Sequence, residues 1–123
     1  MKIDGYKDRE VLMVTYEFDQ ETDVEGQMAG IPRGGKITVK VKAHNDGNPD
    51  LLAWMCERNL PKNGTIEFLE TKTGKSMKEI KFTNGYCVDF EEKWEDKMGH
   101  FEQIVITCKK IEFGSVVYEN DWA

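Results

Sequence analysis

The dipeptide Asn84-Gly85 stands between two segments in which apolar and polar residues alternate. A two-residue type I′ turn needs positive φ angles, which glycine adopts freely and asparagine tolerates. Side chains of a strand alternate between its two faces, so one register of the two segments buries both apolar rows together. The stretch therefore predicts a β-hairpin that packs on a core through Ile80, Phe82, Tyr86, Val88 and Phe90.

Other segments alternate with the same period of two and predict further strands on the same core. Near the C terminus, the apolar residues change parity between Cys108 and Ile111, which indicates a β-bulge close to Lys109 and Lys110. The remaining core positions predicted by this alternation are Leu12, Val14, Tyr16, Phe18, Ile37, Val39, Val41, Ile104 and Ile106.

One segment has helical character. Asn48 suits an N-cap and Pro49 suits the first helical position. An apolar stripe follows at helical spacing, made of Leu51, Leu52, Trp54 and Met55. Many short strands with one helix predict a mainly β fold, a β-barrel or sandwich of antiparallel strands with one flanking α-helix, in a single domain spanning residues 1–123.

Composition narrows the possible functions. The chain has 123 residues and a net charge of −6, which argues against general nucleic-acid binding because such binding depends on excess lysine and arginine. It contains no apolar run of the ~20 residues that a membrane helix needs, and the pattern at its start leads us to expect no signal peptide. Its three cysteines are an odd number without a CxxC pair, so we expect a reducing compartment, the cytoplasm, at synthesis.

Three patterns associated with chemistry lack the context that they need. Residues 30–36 match the start of a P-loop, but Ile37 replaces the Ser or Thr that holds Mg²⁺, and a strand follows instead of a helix. Residues 46–57 have the oxygen spacing of a calcium loop, but Leu51 replaces its required glycine. His44 and His100 have no partner at metal-ligand spacing. We expect no catalytic site, no metal and no cofactor.

Four segments together resemble, in their order and spacing, the Hcp family of type VI secretion tube proteins in its Bacteroidetes-like form. They are Gly34–Val39, Asn63–Ile66, Met77–Phe90 and a C-terminal segment represented by Ile111–Gly114 and Tyr118–Trp122. The resemblance implies a structural protein that forms hexameric rings, stacks them into a tube inside a contractile sheath and can carry effectors in the lumen. The implied partners are the chain itself, sheath and spike proteins, and effector cargo. The implied location is the cytoplasm, followed by secretion through the apparatus.

The segment Asp19–Gly34 lacks periodicity and is predicted to be a long loop. Its acidic residues precede an apolar patch around Met28 and Ile31, which suits docking on a neighbour, whereas folding back onto its own barrel is the alternative. The resemblance implies that this loop reaches the next subunit. The candidate assembly-loop residues are Asp19, Glu21, Asp23, Glu25, Met28, Ile31 and Arg33.

Residues opposite in parity to the predicted core rows are mostly charged. The resemblance implies that this sheet face lines the lumen of the tube. Its candidate residues are Lys36, Thr38, Lys40, Lys42, Glu79, Lys81, Cys87 and Asp89. The alternative function is a monomeric small β-barrel that acts as a binding or adaptor module without catalytic activity, and oligomeric mass separates the two.

Overall fold

The computed structural model describes residues 1–19, 33–44, 47–57, 60–69, 76–96 and 99–119. The strands pair antiparallel in the order β1-β4-β5-β6-β3-β2, and β7 also pairs with β6. This arrangement confirms the predicted mainly β fold with a flanking helix. The elements in chain order are β1 (Lys2–Ile3), β2 (Val11–Asp19), β3 (Arg33–Lys42), α1 (Asp50–Cys56), β4 (Lys62–Leu69), β5 (Ser76–Glu95), β6 (Gly99–Phe113) and β7 (Val116–Glu119).

The sheet curls around one core until β2 approaches β4 and the start of β5. Across this seam the ammonium nitrogen of Lys78 lies 2.5 Å from the hydroxyl oxygen of Tyr16. Helix α1 packs against β5 and contributes two buried side chains, Leu51 and Trp54. The largest completely buried strand residues are mostly β-branched: Ile37, Val39, Val41, Ile66, Ile80, Ile104, Ile106 and Ile111.

The prediction of a hairpin turn at Asn84-Gly85 is wrong. Strand β5 continues through the dipeptide for 20 residues. Asn84 does adopt a positive φ of 52°, but it does so in a bulge where the register with β4 shifts, and its N–H donates to Oδ1 of Asn63 at 3.0 Å. A bulge uses the same left-handed conformation as a turn, so the local signal does not distinguish them. The β5–β6 hairpin closes beyond Asp96 instead, with Gly99 at a φ of 91°.

The ring of Phe82 explains why glycine flanks this bulge. A Cβ on Gly64 would lie 2.5 Å from the Phe82 ring and 2.8 Å from the Lys2 carbonyl oxygen, and a Cβ on Gly85 would lie 2.8 Å from the same ring. Both glycines therefore leave the space that this aromatic side chain occupies. Phe82 is 2% exposed and pairs across the sheet with Ile111 of β6.

The bulges also correct the predicted faces. After Asn84 the parity of β5 reverses, so Cys87 enters the core in place of Tyr86 and Val88. A second bulge at Val88 reverses it again, and Phe90 packs against the core as predicted. Strand β6 changes face between Cys108 and Ile111, both of which are buried as their parities predict.

Strand β2 and helix α1 each bury only part of their predicted apolar set. In β2, Val14 and Tyr16 pack on the core, but Leu12 lies in a bulge and Phe18 at the strand end, and both are exposed. In the helix, Leu52 and Met55 are exposed. The helix begins at Asp50, so Pro49 rather than Asn48 is the residue before the first turn. The side chain of Asn48 still accepts a hydrogen bond from the Asp50 N–H at 2.9 Å.

Candidate functional site

The side of the sheet turned away from the core forms one polar face across β2, β3, β6 and β5. In register, Thr15, Thr38, Val105 and Asp89 make one row across these four strands. Most of the residues that we predicted to line a lumen lie on this polar face, opposite in parity to buried neighbours: Lys36, Thr38, Lys40, Lys42, Glu79, Lys81 and Asp89.

Charges on the polar face are paired along the strands. The ammonium nitrogen of Lys81 lies 3.6 Å from the carboxylate of Glu79, and that of Lys110 lies 3.2 Å from the carboxylate of Glu112. In each pair the two residues are separated by one position along the same strand. The Lys40 ammonium lies 3.8 Å from the centre of the Phe101 ring. Such exposed pairs add little to stability, but they produce a hydrated face on which charges of both signs alternate.

Cys87 is the exception, and its predicted position on the polar face is wrong. Because of the reversal at Asn84, its side chain is buried beneath the sheet, where the Sγ contacts the Asp89 carbonyl oxygen at 3.4 Å. Burial raises the pKa of the Cys87 thiol to about 11 and that of Cys108 to about 12. Thiolate is the reactive form of cysteine, so both thiols are inert at neutral pH, and Cys56 on α1 is the exposed one.

The part of the sheet made of β2, β3, β6 and β5 has two unpaired edges. Among the described residues, β2 pairs only with β3, and the part of β5 beyond Gly85 pairs only with β6. The edges lie level with each other: Val14 aligns through β3 and β6 with Phe90, and Tyr16 aligns in the same way with Cys87. An edge strand exposes a row of unsatisfied backbone groups that a second chain can pair with.

Each unpaired edge carries an exposed aliphatic residue at a bulge. Leu12 is the extra residue of β2 and is 51% exposed, and Val88 is the extra residue of β5 and is 48% exposed. Beside Val88 opens a cavity of about 390 Å³, whose lining includes Trp54, Met55 and Leu60. Around Val88 the β5 edge is therefore recessed and largely apolar, although Glu57 also lines the cavity, and charged residues follow along the strand from Asp89.

The predicted assembly loop begins at the other end of the β2–β3 pair. The backbones of Asp19 and Arg33 pair with each other, so these two predicted loop residues belong to strands. The connection between them spans residues 20–32. The other candidate residues of the loop lie outside the described part of the chain: Glu21, Asp23, Glu25, Met28 and Ile31.

A buried ion pair that was not predicted from the sequence fastens the N-terminal segment to the barrel. A nitrogen of the Arg9 guanidinium lies 2.7 Å from a carboxylate oxygen of Glu102, and both residues are almost completely buried. The Met1 ammonium donates to the Arg9 carbonyl oxygen at 2.6 Å, and the Arg9 N–H donates back to Met1 at 3.0 Å. The available signal was the parity of Glu102, which matches that of Ile104 and Ile106.

A second carboxyl group faces this ion pair. Glu92 of β5 is the direct cross-strand partner of Glu102, and the His100 ring nitrogen lies 3.6 Å from the Glu92 carboxylate. Burial and the hydrogen bond with Glu92 raise the pKa of Glu102 to about 7, although Arg9 opposes the shift. Glu102 is therefore partly protonated near neutral pH.

The pair of Glu92 and Glu102 predicts that the stability of the protein depends on pH. The folded-state pKa of Glu102 is about 7 against an ordinary value of 4.5, so the folded protein binds a proton that the unfolded chain lacks between these values. The contribution of this group to stability is present at low pH and is lost as pH rises through about 7. Glu92→Gln removes the opposing charge, so it should raise the melting temperature at pH 8 and change it little at pH 5.

Thermal unfolding followed by circular dichroism across this pH range checks the expectation. Glu91→Gln is the matched control because Glu91 is the adjacent residue and lies on the exposed polar face opposite Gln103. A melting temperature at pH 8 that is unchanged by Glu92→Gln, or raised equally by both variants, would show that the Glu92–Glu102 contact does not control the pH response.

Two of the chemical patterns in the sequence are not matched by a site among the described residues. Within them, no group of three or more His, Cys, Asp and Glu side chains is placed to hold a metal ion. Gly34–Lys36 lie in strand β3 rather than in a loop that opens a helix, so they do not form a P-loop. No helix in the described ranges is long and apolar enough to cross a membrane.

The comparison with family models and the comparison with solved structures point to the same family. A family model described as Hemolysin coregulated protein Hcp (TssD) matches residues 1–123. The chain is similar to the solved structure of Hcp1 from Flavobacterium johnsoniae, with 32% identity over 96% of this chain and 95% of that chain and a TM-score of 0.85. None of the curated proteins matches the chain.

Two more distant structures share the fold. Hcp1 of the EAEC 042 pathovar of E. coli, solved as an engineered mutant, is 14% identical over 91% of this chain and 79% of that chain, with a TM-score of 0.69. A chain of the PVC sheath-tube complex, an extracellular contractile injection system, is 15% identical over 89% of this chain and 80% of that chain, with a TM-score of 0.50. At these identities the similarity shows the fold alone.

Proposed function

The chain belongs to the Hcp (TssD) family, and on this premise we propose that it is the structural subunit of a type VI secretion tube. The family consists of structural tube proteins that are secreted through type VI systems. Self-association, rather than catalysis, is then the biochemical activity of the protein. The observation that carries the proposal is the pair of level, unpaired edges on one sheet.

The directions of the strands suit a closed ring. Strands β2, β3, β6 and β5 are joined by three successive antiparallel pairings, so β2 and β5 run in opposite directions. In a cyclic ring every copy points the same way along the axis. The β5 edge of one copy then meets the β2 edge of the next antiparallel, which is the pairing used throughout this sheet.

The side-chain parities suit the same contact. At equal height, Tyr16 and Cys87 both point to the core side, while Thr15 and Asp89 both lie on the polar face. Joining the edges would therefore continue the polar face from copy to copy and enclose it. We assign Lys36, Lys40 and their neighbours on this face to the lumen of the tube.

The remaining contacts belong to the stacked assembly. We assign residues 20–32, with Met28 and Ile31, to a contact with a neighbouring subunit, because an apolar patch within an acidic loop is suited to docking. The proposed partners are further copies of the chain, a sheath around the tube, a spike at its tip and effector cargo in the lumen. The proposed location is the cytoplasm during assembly and the exterior after secretion.

The oligomeric mass of the purified wild-type protein tests the proposal. Light scattering during size-exclusion chromatography should give about six times the chain mass of 14.2 kDa, or a larger stacked species. A constant mass of one chain at every concentration up to the millimolar range would instead support a monomeric binding module.

A further inference from the structure

The β5–β6 hairpin projects past the rest of the sheet and exposes a tryptophan. Strand β3 ends at Lys42, opposite Phe101, and the Ala43 N–H donates to the His100 carbonyl oxygen at 3.1 Å. Beyond this point, within the described ranges, the two strands pair only with each other. We call residues 92–96 and 99–100 the hairpin tip. Trp94 in this tip is 68% exposed, which is unusual because a tryptophan side chain is normally highly buried.

The opposite end of the same sheet carries an exposed apolar cluster. We call Phe18, Phe113, Val116 and Tyr118 the terminal patch. The ring centres of Phe18 and Tyr118 are 4.8 Å apart, and those of Phe18 and Phe113 are 5.9 Å apart. Phe18 is 40% exposed and Val116 is 62% exposed. Aromatic and aliphatic groups gathered on an exposed surface are characteristic of a protein interface.

Both surfaces lie on the same side of the sheet. Trp94 has the parity of Glu92, which faces Glu102 on the core side, and Val116 pairs with Phe113, which packs against the core. About 40 Å of strand separates His100, beside Trp94, from Phe113, because a strand rises ~3.3 Å per residue. A translation along the strand direction therefore brings the hairpin tip of one copy to the terminal patch of another.

The distribution of charge favours contact between the hairpin tip and the terminal patch over contact between two hairpin tips. The described residues of the hairpin tip include Glu92, Glu95 and Asp96 against one lysine, Lys93, whose ammonium lies 2.9 Å from the Glu95 carboxylate; with Lys97, which lies outside the described residues, acidic residues still outnumber lysines three to two. At the terminal patch, Lys78 extends over the rings of Tyr16 and Phe113, 5.1 and 5.6 Å from their centres. In the described part of the chain, Lys78 contacts aromatic groups rather than a carboxylate, so an exposed positive charge lies beside the patch.

We propose that Trp94 of one copy docks on the terminal patch of a second copy in the adjacent ring, and that this contact is an anchor of ring stacking. The inference rests on the proposed tube function and specifies the surfaces that the stacking uses. The apolar patch receives the indole, and the acidic residues of the tip approach Lys78. Tryptophan is the residue type that most often supplies a large share of the binding energy at an interface.

Disulfide trapping tests the contact. Trp94→Cys and Val116→Cys are combined in a Cys56→Ser background, which removes the exposed native thiol. Mild oxidation of the assembled protein should then produce a ladder of covalent multimers on a denaturing gel. Val117→Cys with Trp94→Cys is the matched control, because Val117 pairs with Glu112 and is exposed on the opposite face of β7. The control pair and each single variant should give no ladder.

The result is measured together with the mass of the reduced protein. Rings without a ladder, an equal ladder from Val117→Cys, or covalent dimers from Trp94→Cys alone would each overturn the proposed docking while leaving the ring function standing. Wild-type protein that stays a single chain at all concentrations would overturn the tube function and this inference with it. Trp94→Ala should retain the ring mass and move the appearance of the stacked species to a higher protein concentration, so the disulfide is trapped at a concentration at which the Trp94→Cys protein still stacks.

Discussion

Phe82→Ala should lower the free energy of unfolding by about 3–5 kcal/mol, the range measured for truncating a buried aromatic residue. The ring is 2% exposed and fills the space left by Gly64 and Gly85. Neither glycine has a side chain that can move into the resulting cavity, so the loss should not be relieved by local repacking. Urea unfolding followed by circular dichroism measures it.

Phe101→Ala is the matched control because it truncates the same residue type on the other side of the sheet. Phe101 is only partly buried and pairs with Lys42 on the polar face, where it contacts the Lys40 ammonium. We expect a loss of about 1 kcal/mol for this cation–π contact and partial burial. Equal losses for the two variants would contradict the assignment of Phe82 to the centre of the core.

Val88→Asp should disperse the ring into single chains while leaving their unfolding midpoint nearly unchanged. Val88 is 48% exposed in the single chain, so the substitution buries no charge there. At the β5 edge of a ring, the unpaired carboxylate would be desolvated at a cost of several kcal/mol. A loss of about 4 kcal/mol weakens a contact roughly a thousandfold. Val88→Thr, which keeps the branched shape without the charge, should retain the ring.

A mixture with Leu12→Asp distinguishes a head-to-tail ring from a symmetric contact. Each variant keeps one intact edge, β2 in Val88→Asp and β5 in Leu12→Asp. Mixing them should therefore give dimers, each with one copy of each variant, because only one productive contact can form. Rings from Val88→Asp alone, or a mixture that stays as single chains, would contradict edge pairing between β2 and β5.

The alternation of apolar residues predicted the mainly β fold and most of the core, because that pattern is local and survives in the structure. It failed where a bulge changes the parity of a strand. The left-handed conformation of Asn84 is a local property, but the continuation of β5 depends on pairing with both β4 and β6, which no short segment encodes. The error at Cys87 follows from that one misassigned residue.

The candidate surfaces were predictable to different degrees. The polar face followed from the same alternation as the core, so Lys36, Lys40 and Lys81 were placed on the correct side of the sheet. The unpaired edges could not be derived, because the strand order and the 20-residue length of β5 are tertiary properties. The Arg9–Glu102 pair joins residues 93 positions apart, and nothing in either local segment indicates the other.

Amide hydrogen exchange, compared between the assembled wild-type protein and the single chains of Val88→Asp, tests most directly whether sheet edges join to form the tube wall. We expect slower exchange in the assembly at two segments that lie level with each other, residues 12–17 of β2 and 87–93 of β5, because their outward N–H groups would pair with the neighbouring copy. Equal exchange of both segments in the two states, with protection appearing elsewhere on the surface, would contradict it.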